Sequence, residues 1–275
     1  MGMYFVGALT DSLGNYIIKN INYGNGTTFT VTPSLESIIG RSLEFDGVND
    51  YIDFSARRIE LSNGFTIESW FKTPGASSDM ILFSTRNPVD QTVQLEVSML
   101  ASSSQLTVKY FDQVTTVGEG LNNNLWHHWA VAVDTLNQTI EIYIDGGSSL
   151  GGSQSVELLS SNLIDDITVL SELKIGSGLN NNAYFLGFMD ESRVWSGPRT
   201  LDQITGTMNQ TLVGDETGLS SYWNFNSGTG ILINDIAGSG ATGMIADTAN
   251  AENAWSIDIP LEETYSHYYL PESRF

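Results

Sequence analysis

The eight residues QTIEIYID, Gln138 to Asp145, place Ile140, Ile142 and Ile144 at one parity and Glu141, Tyr143 and Asp145 at the other. Successive side chains of a strand point to opposite faces, so this alternation predicts a strand with one buried face. Similar runs recur on both sides of it. They are SLEFDGVNDYIDF (42–54), GFTIESWFKT (64–73), MILFS (80–84), TVQLEVSML (92–100), QLTVKYF (105–111), LWHHWAVAVD (125–134), LKIGS (173–177) and YFLGFMDESRVW (184–195). Between them lie GASSD, GEGLNNN, DGGSSLGGSQS and GSGLNNNA, built from residues that favour turns. Many short strands divided by such turns predict an all-β protein, a sandwich or jelly roll. One short helix is predicted at TLDQITGTMNQ (200–210), with Thr200 as N-cap and Leu201, Ile204 and Met208 on one face. Residues 214–245 are strand-like and rich in Gly, whereas 261–275 show no period and read as a tail or linker.

Composition narrows the function classes. The 275 residues suffice for one large all-β domain or two small ones, and 41% apolar with 11% aromatic content is that of a globular chain. No apolar run reaches the ~18 residues of a membrane span, so direct membrane insertion is not expected. Thirty-two acids against 11 bases give a net charge of −21, which repels nucleic acid and anionic lipid and suits a calcium-tolerant extracellular surface. There is no cysteine, so disulfides, thiolate zinc sites and cysteine nucleophiles are excluded. That absence leans towards a bacterial surface protein rather than a disulfide-bonded eukaryotic one. The opening MGMYFVGALT lacks the basic region, long apolar stretch and cleavage site of a secretion signal. It reads as the start of a cytosolic protein or of a domain inside a longer secreted one.

In their order and spacing these runs resemble the concanavalin A-like laminin G jelly-roll family. SLEFDGVNDYIDF is similar to its opening strand pair, GFTIESWFKT to its next core strand and LWHHWAVAVD to its tryptophan–histidine strand. IEIYIDG, LKIGS, YFLGFMDESRVW and RTLDQI follow as its later strands and closing helix. The resemblance spans about Ser42 to Met208 and implies a sandwich of two antiparallel sheets with one short helix. The organisation expected from it is an N-terminal strand and loop segment packing on the sandwich (1–41), a jelly roll (42–213), strands completing the sandwich (214–260) and a tail (261–275). It further implies a non-catalytic carbohydrate-binding or adhesion module at the cell surface or outside the cell, joined to other domains of a long polypeptide and facing a glycan or surface-protein ligand. A structural spacer of a surface fibre and an accessory domain of a polysaccharide-degrading enzyme are the rival readings.

Related hydrolases carry carboxylates two apart on one strand, in a Glu-x-Asp-x-x-Glu pattern, because retaining chemistry needs them about 5–5.5 Å apart. Here Asp190 and Glu191 are adjacent and face opposite ways, and Glu141 and Asp145 are four apart. No catalytic residue is therefore assigned. The adjacent His127 and His128 also face opposite ways and are expected to be packed or hydrogen-bonded.

Calcium is the cofactor expected, since hard cations take carboxylate and carbonyl oxygens. The resemblance implies a structural ion at Asp190 with backbone carbonyls from the N-terminal segment. A pentraxin-like second site is considered at Asp90 with Asn180, Asn181 and Asn182, although plain turn formation also explains the asparagines. Sugar binding commonly uses exposed aromatic rings with polar groups around them. Trp70, Trp126, Trp195 and Trp223 lie within core-strand motifs and are expected to pack, leaving Tyr110, Trp129 and Tyr184 as candidate ligand contacts.

Overall fold

The computed structural model of the chain describes residues 40–54, 58–61, 64–75, 77–147, 153–157, 169–246 and 254–261. Nearly all of the segment read as N-terminal (1–39 of it) and nearly all of the tail (262–275) lie outside these. In chain order the strands are β1 (Ser42–Asp46), β2 (Ile52–Asp53), β3 (Arg58–Glu60), β4 (Phe65–Lys72), β5 (Met80–Arg86), β6 (Val93–Met99), β7 (Leu106–Tyr110), β8 (Gln113–Val117) and β9 (Trp126–Asp134). They continue with β10 (Thr139–Ile144), β11 (Ser153–Glu157), β12 (Val169–Ser171), β13 (Leu173–Ile175) and β14 (Leu186–Ser196). After the helix α1 (Leu201–Thr207) come β15 (Leu219–Trp223), β16 (Leu232–Ile233), β17 (Gly243–Ile245) and β18 (Trp255–Ser256).

Two large antiparallel sheets form, and β3 pairs antiparallel with β12 as a separate two-stranded sheet. The first runs β11-β10-β9-β4-β14-β1-β18, with β15 also on β14, and the second runs β16-β17-β2-β13-β5-β6-β7-β8. Non-sequential neighbours such as β9-β4-β14-β1 are the crossovers of a jelly roll, and among the described residues α1 is the one helix. Strands β15 to β18 pair into both sheets, so the segment after α1 contributes edges to each.

Periodicity sets which residues meet. The isoleucines of QTIEIYID pair across the ladder with inward residues of β9, Ile140 with Val133, Ile142 with Val131 and Ile144 with Trp129. All are in one core cluster fed by both sheets. Aromatic rings close the gap between the layers: Phe83 of β5 meets Trp129 of β9 edge-on at 6.2 Å, and Phe65 of β4 meets Tyr110 of β7 at 6.4 Å. The cavity around Ile67, Phe83 and Trp129 is about 10 Å³, no more than one water needs, so it has no room for a ligand.

On the outer side of the first sheet α1 sits where the sequence places it, somewhat shorter than the predicted 200–210. Thr200 Oγ1 accepts from Gln203 N–H while Gln203 Oε1 accepts from Thr200 N–H, a complete capping box. Buried Ile204 packs on Ala130 and Ala132, whose small side chains let the helix approach, and on Tyr143. Beneath the helix and the turn after it lies a buried charge network. Arg193, 1% exposed, pairs with Glu191 at 2.6 Å and Glu68 at 3.5 Å, and its Nη1 donates to the Thr207 carbonyl. Trp195 Nε1 donates to Glu68, and the Tyr222 hydroxyl donates to Glu191. Burial and then the Glu191 charge push the Tyr222 hydroxyl far above its usual range.

Candidate functional site

The outer face of the second sheet carries a polar row set by strand register. Asp53 stands opposite Lys174, Lys174 opposite Ser84, Ser84 opposite Glu96 and Glu96 opposite Lys109. Two cross-strand pairs of opposite charge, Asp53 with Lys174 and Glu96 with Lys109, thus flank the buried Ser84. At the β2–β13 end the loop 176–184 folds over this row. Gly178 N–H donates to Asn182 O at 2.8 Å and Asn181 N–H to Gly178 O at 3.0 Å, which closes a tight turn. Buried Phe185, edge-on to Phe45 at 5.8 Å, anchors the loop to the core. Its neighbour Tyr184 has the opposite parity and lies on the outer side.

Asn181 and Ala183 hold φ angles of 54° and 51°. Asn tolerates this left-handed region, but Ala does not, and such strain costs of order 1–3 kcal/mol. Here the loop bonds and the Ile81 N–H to Ala183 O contact of 2.8 Å maintain it. The turn that these two residues shape ends at Tyr184, which faces Tyr51, the residue before β2. The two half-buried rings lie 6.3 Å apart and tilted by 33°.

Polar groups surround this aromatic pair. Lys174 Nζ lies 4.4 Å from the centroid of the Tyr51 ring and donates to Asn181 Oδ1. Burial, against the pull of Asp53 and with help from Arg86, lowers the Lys174 ammonium below its usual value. Burial first, then Asp53 and Tyr184, raise the Tyr51 hydroxyl, while a hydrogen bond with Asn181 works the other way. Arg86 pairs with Glu172 and reaches Asn180 Oδ1 at 3.5 Å. Two facing rings edged by an ammonium, amides and an ion pair can take a flat apolar face and hydrogen-bond the hydroxyls around it.

The candidate residues divide accordingly. Tyr184 and Asn180, Asn181 and Asn182 come together in this loop, and Arg86 brings the Asn87–Thr92 turn beside it. Tyr110 and Trp129 do not belong there. Each is 2% exposed and bridges the two sheets, so neither reaches a ligand, and their expected role as contacts is corrected. The strand parity that makes Trp129 face inward makes Trp126 face outward. Trp126 is half-buried on the other sheet's outer face, where core packing was expected, while Trp70, Trp195 and Trp223 are buried as expected.

The second calcium site does not fit its residues. Lys174 and Arg86 already stand at the amide oxygens of Asn181 and Asn180, and a dication needs anionic or neutral oxygens there, not cations. Asp90 lies in an exposed turn where its Oδ1 accepts from Thr92 N–H, and that backbone bond lowers its carboxyl. Asp190 is 4% exposed on β14, with Oδ1 accepting from Glu191 N–H. The carbonyl ligands expected to join it fall outside the described residues, among which no cluster of three His, Asp or Glu could hold a metal.

His127 is buried with Nδ1 at 2.8 Å from Asp145 and Nε2 at 3.0 Å from Asn123 Oδ1, so both ring nitrogens are engaged. His128 lies under the helix beside Trp70, and burial lowers its imidazole to about 4, past the pull of Glu68. Sequence reasoning missed Tyr51 and Lys174. The signal for Lys174 was a lysine inside the short apolar run LKIGS, and for Tyr51 its parity with Asp53 in DYIDF.

Comparison with known proteins gives the following likenesses. A laminin G profile described as the concanavalin A-like lectin/glucanases superfamily matches residues 46–205. An adhesion G-protein coupled receptor V1 from Danio rerio is 26% identical over 172 residues, which cover 58% of this chain and only 3% of the receptor's length. A solved putative carbohydrate binding protein from Bacteroides ovatus superposes with a TM-score of 0.56 at 19% identity, over 75% of this chain and 58% of that one. A sialidase carbohydrate-binding module from Ruminococcus gnavus, solved with α2,3-sialyllactose, gives a TM-score of 0.48 at 15% identity over 62% of this chain and 98% of its own.

Proposed function

Because the chain belongs to the concanavalin A-like lectin/glucanases superfamily, we propose that it is a non-catalytic carbohydrate-binding or adhesion module whose ligand docks on the Tyr51–Tyr184 face. The parent is a large secreted or cell-surface protein, and the lack of cysteine favours a bacterial one. The observation that carries the reading is the aromatic pair itself, set by two left-handed residues and edged by Lys174 and Asn181. The description of the Bacteroides ovatus protein as a putative carbohydrate binding protein, and the adhesion receptor among the relatives, agree with it. The non-catalytic part is supported by the acids that share Arg193. Glu68 and Glu191 are 0% and 3% exposed and are committed to Arg193, Trp195 and Tyr222, so no substrate reaches them.

Calcium enters this proposal at Asp190 alone, as a structural ion that would add to stability without touching the ligand. A glycan array probed with the wild-type protein and with Tyr184→Ala tests the whole reading. Glycan signals that the variant loses support it. Binding to a protein partner with no glycan signal would leave adhesion standing and sink the carbohydrate half.

A further inference from the structure

Among the described residues, the outer face of the first sheet is covered at one end only. The helix α1 and its following turn lie over Ala130, Ala132 and Trp70, whose Nε1 donates to the Met208 carbonyl. At the other end a row is left in register: Trp126 of β9 beside Lys72 of β4, Lys72 beside Phe188 of β14, and Phe188 beside Glu44 of β1. Trp126, Lys72 and Phe188 are half-buried and Glu44 is exposed. The Trp126 and Phe188 rings are 6.4 Å apart at 55°, with Lys72 Nζ 5.7 Å from the Phe188 centroid. Asp258 closes the row. One of its oxygens pairs with Lys72 at 2.5 Å and the other accepts from Trp126 Nε1 at 2.8 Å. Asp258 is itself fixed, because Ser42 Oγ donates to its carbonyl and its N–H donates to Ser256 Oγ. Leu125 and Ile257, the chain neighbours of Trp126 and Asp258, are 61% and 68% exposed.

We propose that this row is a second glycan-binding face, which takes an uncharged pyranose unit. The two rings, tilted by 55° to each other, offer apolar surface to the C–H face of a pyranose. The Lys72–Asp258 pair supplies an ammonium donor and carboxylate acceptors at its edge for hydroxyls. Charge selects the class. The pair sums to zero, and a carboxylated or sulfated ligand would meet Glu44 and Asp258 on a chain of net charge −21. A cationic ligand would have to displace Lys72 from Asp258. The Asp258–Nε1 bond also fixes the indole before any ligand arrives, which spares ordering cost on binding.

This inference stands on different residues from the Tyr51–Tyr184 face, and the two faces lie on opposite sides of the sandwich. A single bound segment cannot reach both, so the domain would join two glycan segments.

The test is the indole ¹H–¹⁵N signal of Trp126, assigned with Trp126→Phe, during titration of the full chain. The probes are the methyl pyranosides of glucose, galactose, mannose and N-acetylglucosamine, with methyl glucuronide as the anionic control. At least one neutral glycoside is expected to move the signal saturably, and the glucuronide is not. Phe188→Ala and Asp258→Asn, each confirmed folded by its amide spectrum, should weaken that binding about tenfold. Tyr184→Ala should leave it unchanged. A Trp126 signal that no neutral glycoside moves, that answers only to the glucuronide, or that Tyr184→Ala silences overturns the second face. Movement of Trp126 without any effect of Tyr184→Ala on any glycan would instead remove the first face and leave this one.

Discussion

His128 makes a measurable claim about acid stability. Its ring is buried between Trp70 and Glu68, and the cost of placing a charge there lowers its imidazole from 6.5 to about 4. Glu68 and Asp145 pull the other way and Arg193 and Arg199 reinforce the drop, but burial dominates. The folded value lies below the unfolded one, so between these limits the unfolded chain binds the extra proton. Stability from this group is therefore complete above pH 6.5 and falls as pH drops through the window to about 4. At about 1.36 kcal/mol per unit the full gap is worth about 3 kcal/mol, of which about 2 kcal/mol is gone by pH 5. Other groups also titrate in this range, so the comparison must be with His128→Gln, which is uncharged throughout. Guanidinium unfolding followed by tryptophan fluorescence at pH 7 and pH 5 gives both differences. The wild type should lose about 2 kcal/mol more than the variant over that interval. Equal losses in the two proteins, or a larger loss in the variant, would refute the buried neutral histidine.

Three further outcomes follow from particular contacts. Arg193→Met strands Glu191 without its cation under α1, leaves Glu68 with only the more distant Arg199 at 3.9 Å, and should cost about 3–5 kcal/mol in the same unfolding assay. A cost below 1 kcal/mol would mean that the network relaxes without it. Gly187→Ala should destabilise by about 3 kcal/mol or prevent folding, since φ is 140° and an added Cβ would lie 2.1 Å from the Lys72 carbonyl oxygen. A melting temperature within a degree or so of wild type would contradict that close approach. Calcium should raise the melting temperature in a way that Asp190→Asn abolishes and Asp90→Asn does not, as read by thermal denaturation with calcium or with chelator. A calcium shift lost in Asp90→Asn instead would restore the rejected loop site.

Much of the fold was legible because burial on one face imposes period two. QTIEIYID and GFTIESWFKT carry their inward and outward residues where alternation puts them, and Thr200 with Gln203 marks the helix start. What alternation cannot supply is the identity of the layer facing each side. Trp126 and Trp129 are three apart and so face opposite ways on a strand, yet only the order β9-β4-β14 shows which side is the core. The same holds for Glu68 and Arg193, charges in the middle of apolar strands. Their outer face would be wet on an exposed sheet and is sealed here by α1. The candidate site was half legible, because the Asn-rich loop and Tyr184 are continuous in sequence, while Tyr51 and Lys174 reach them only through the pairing of β2 with β13.

The central claim is that glycans dock on the Tyr51–Tyr184 face, and the direct measurement is calorimetric titration of the best glycan-array ligand into the wild type, Tyr51→Ala and Tyr184→Ala. Each ring removed should weaken the binding assigned to that face by about tenfold, with the unfolding midpoint changed little. Affinities unchanged in both variants, with the ligand still bound at full strength, would contradict the account.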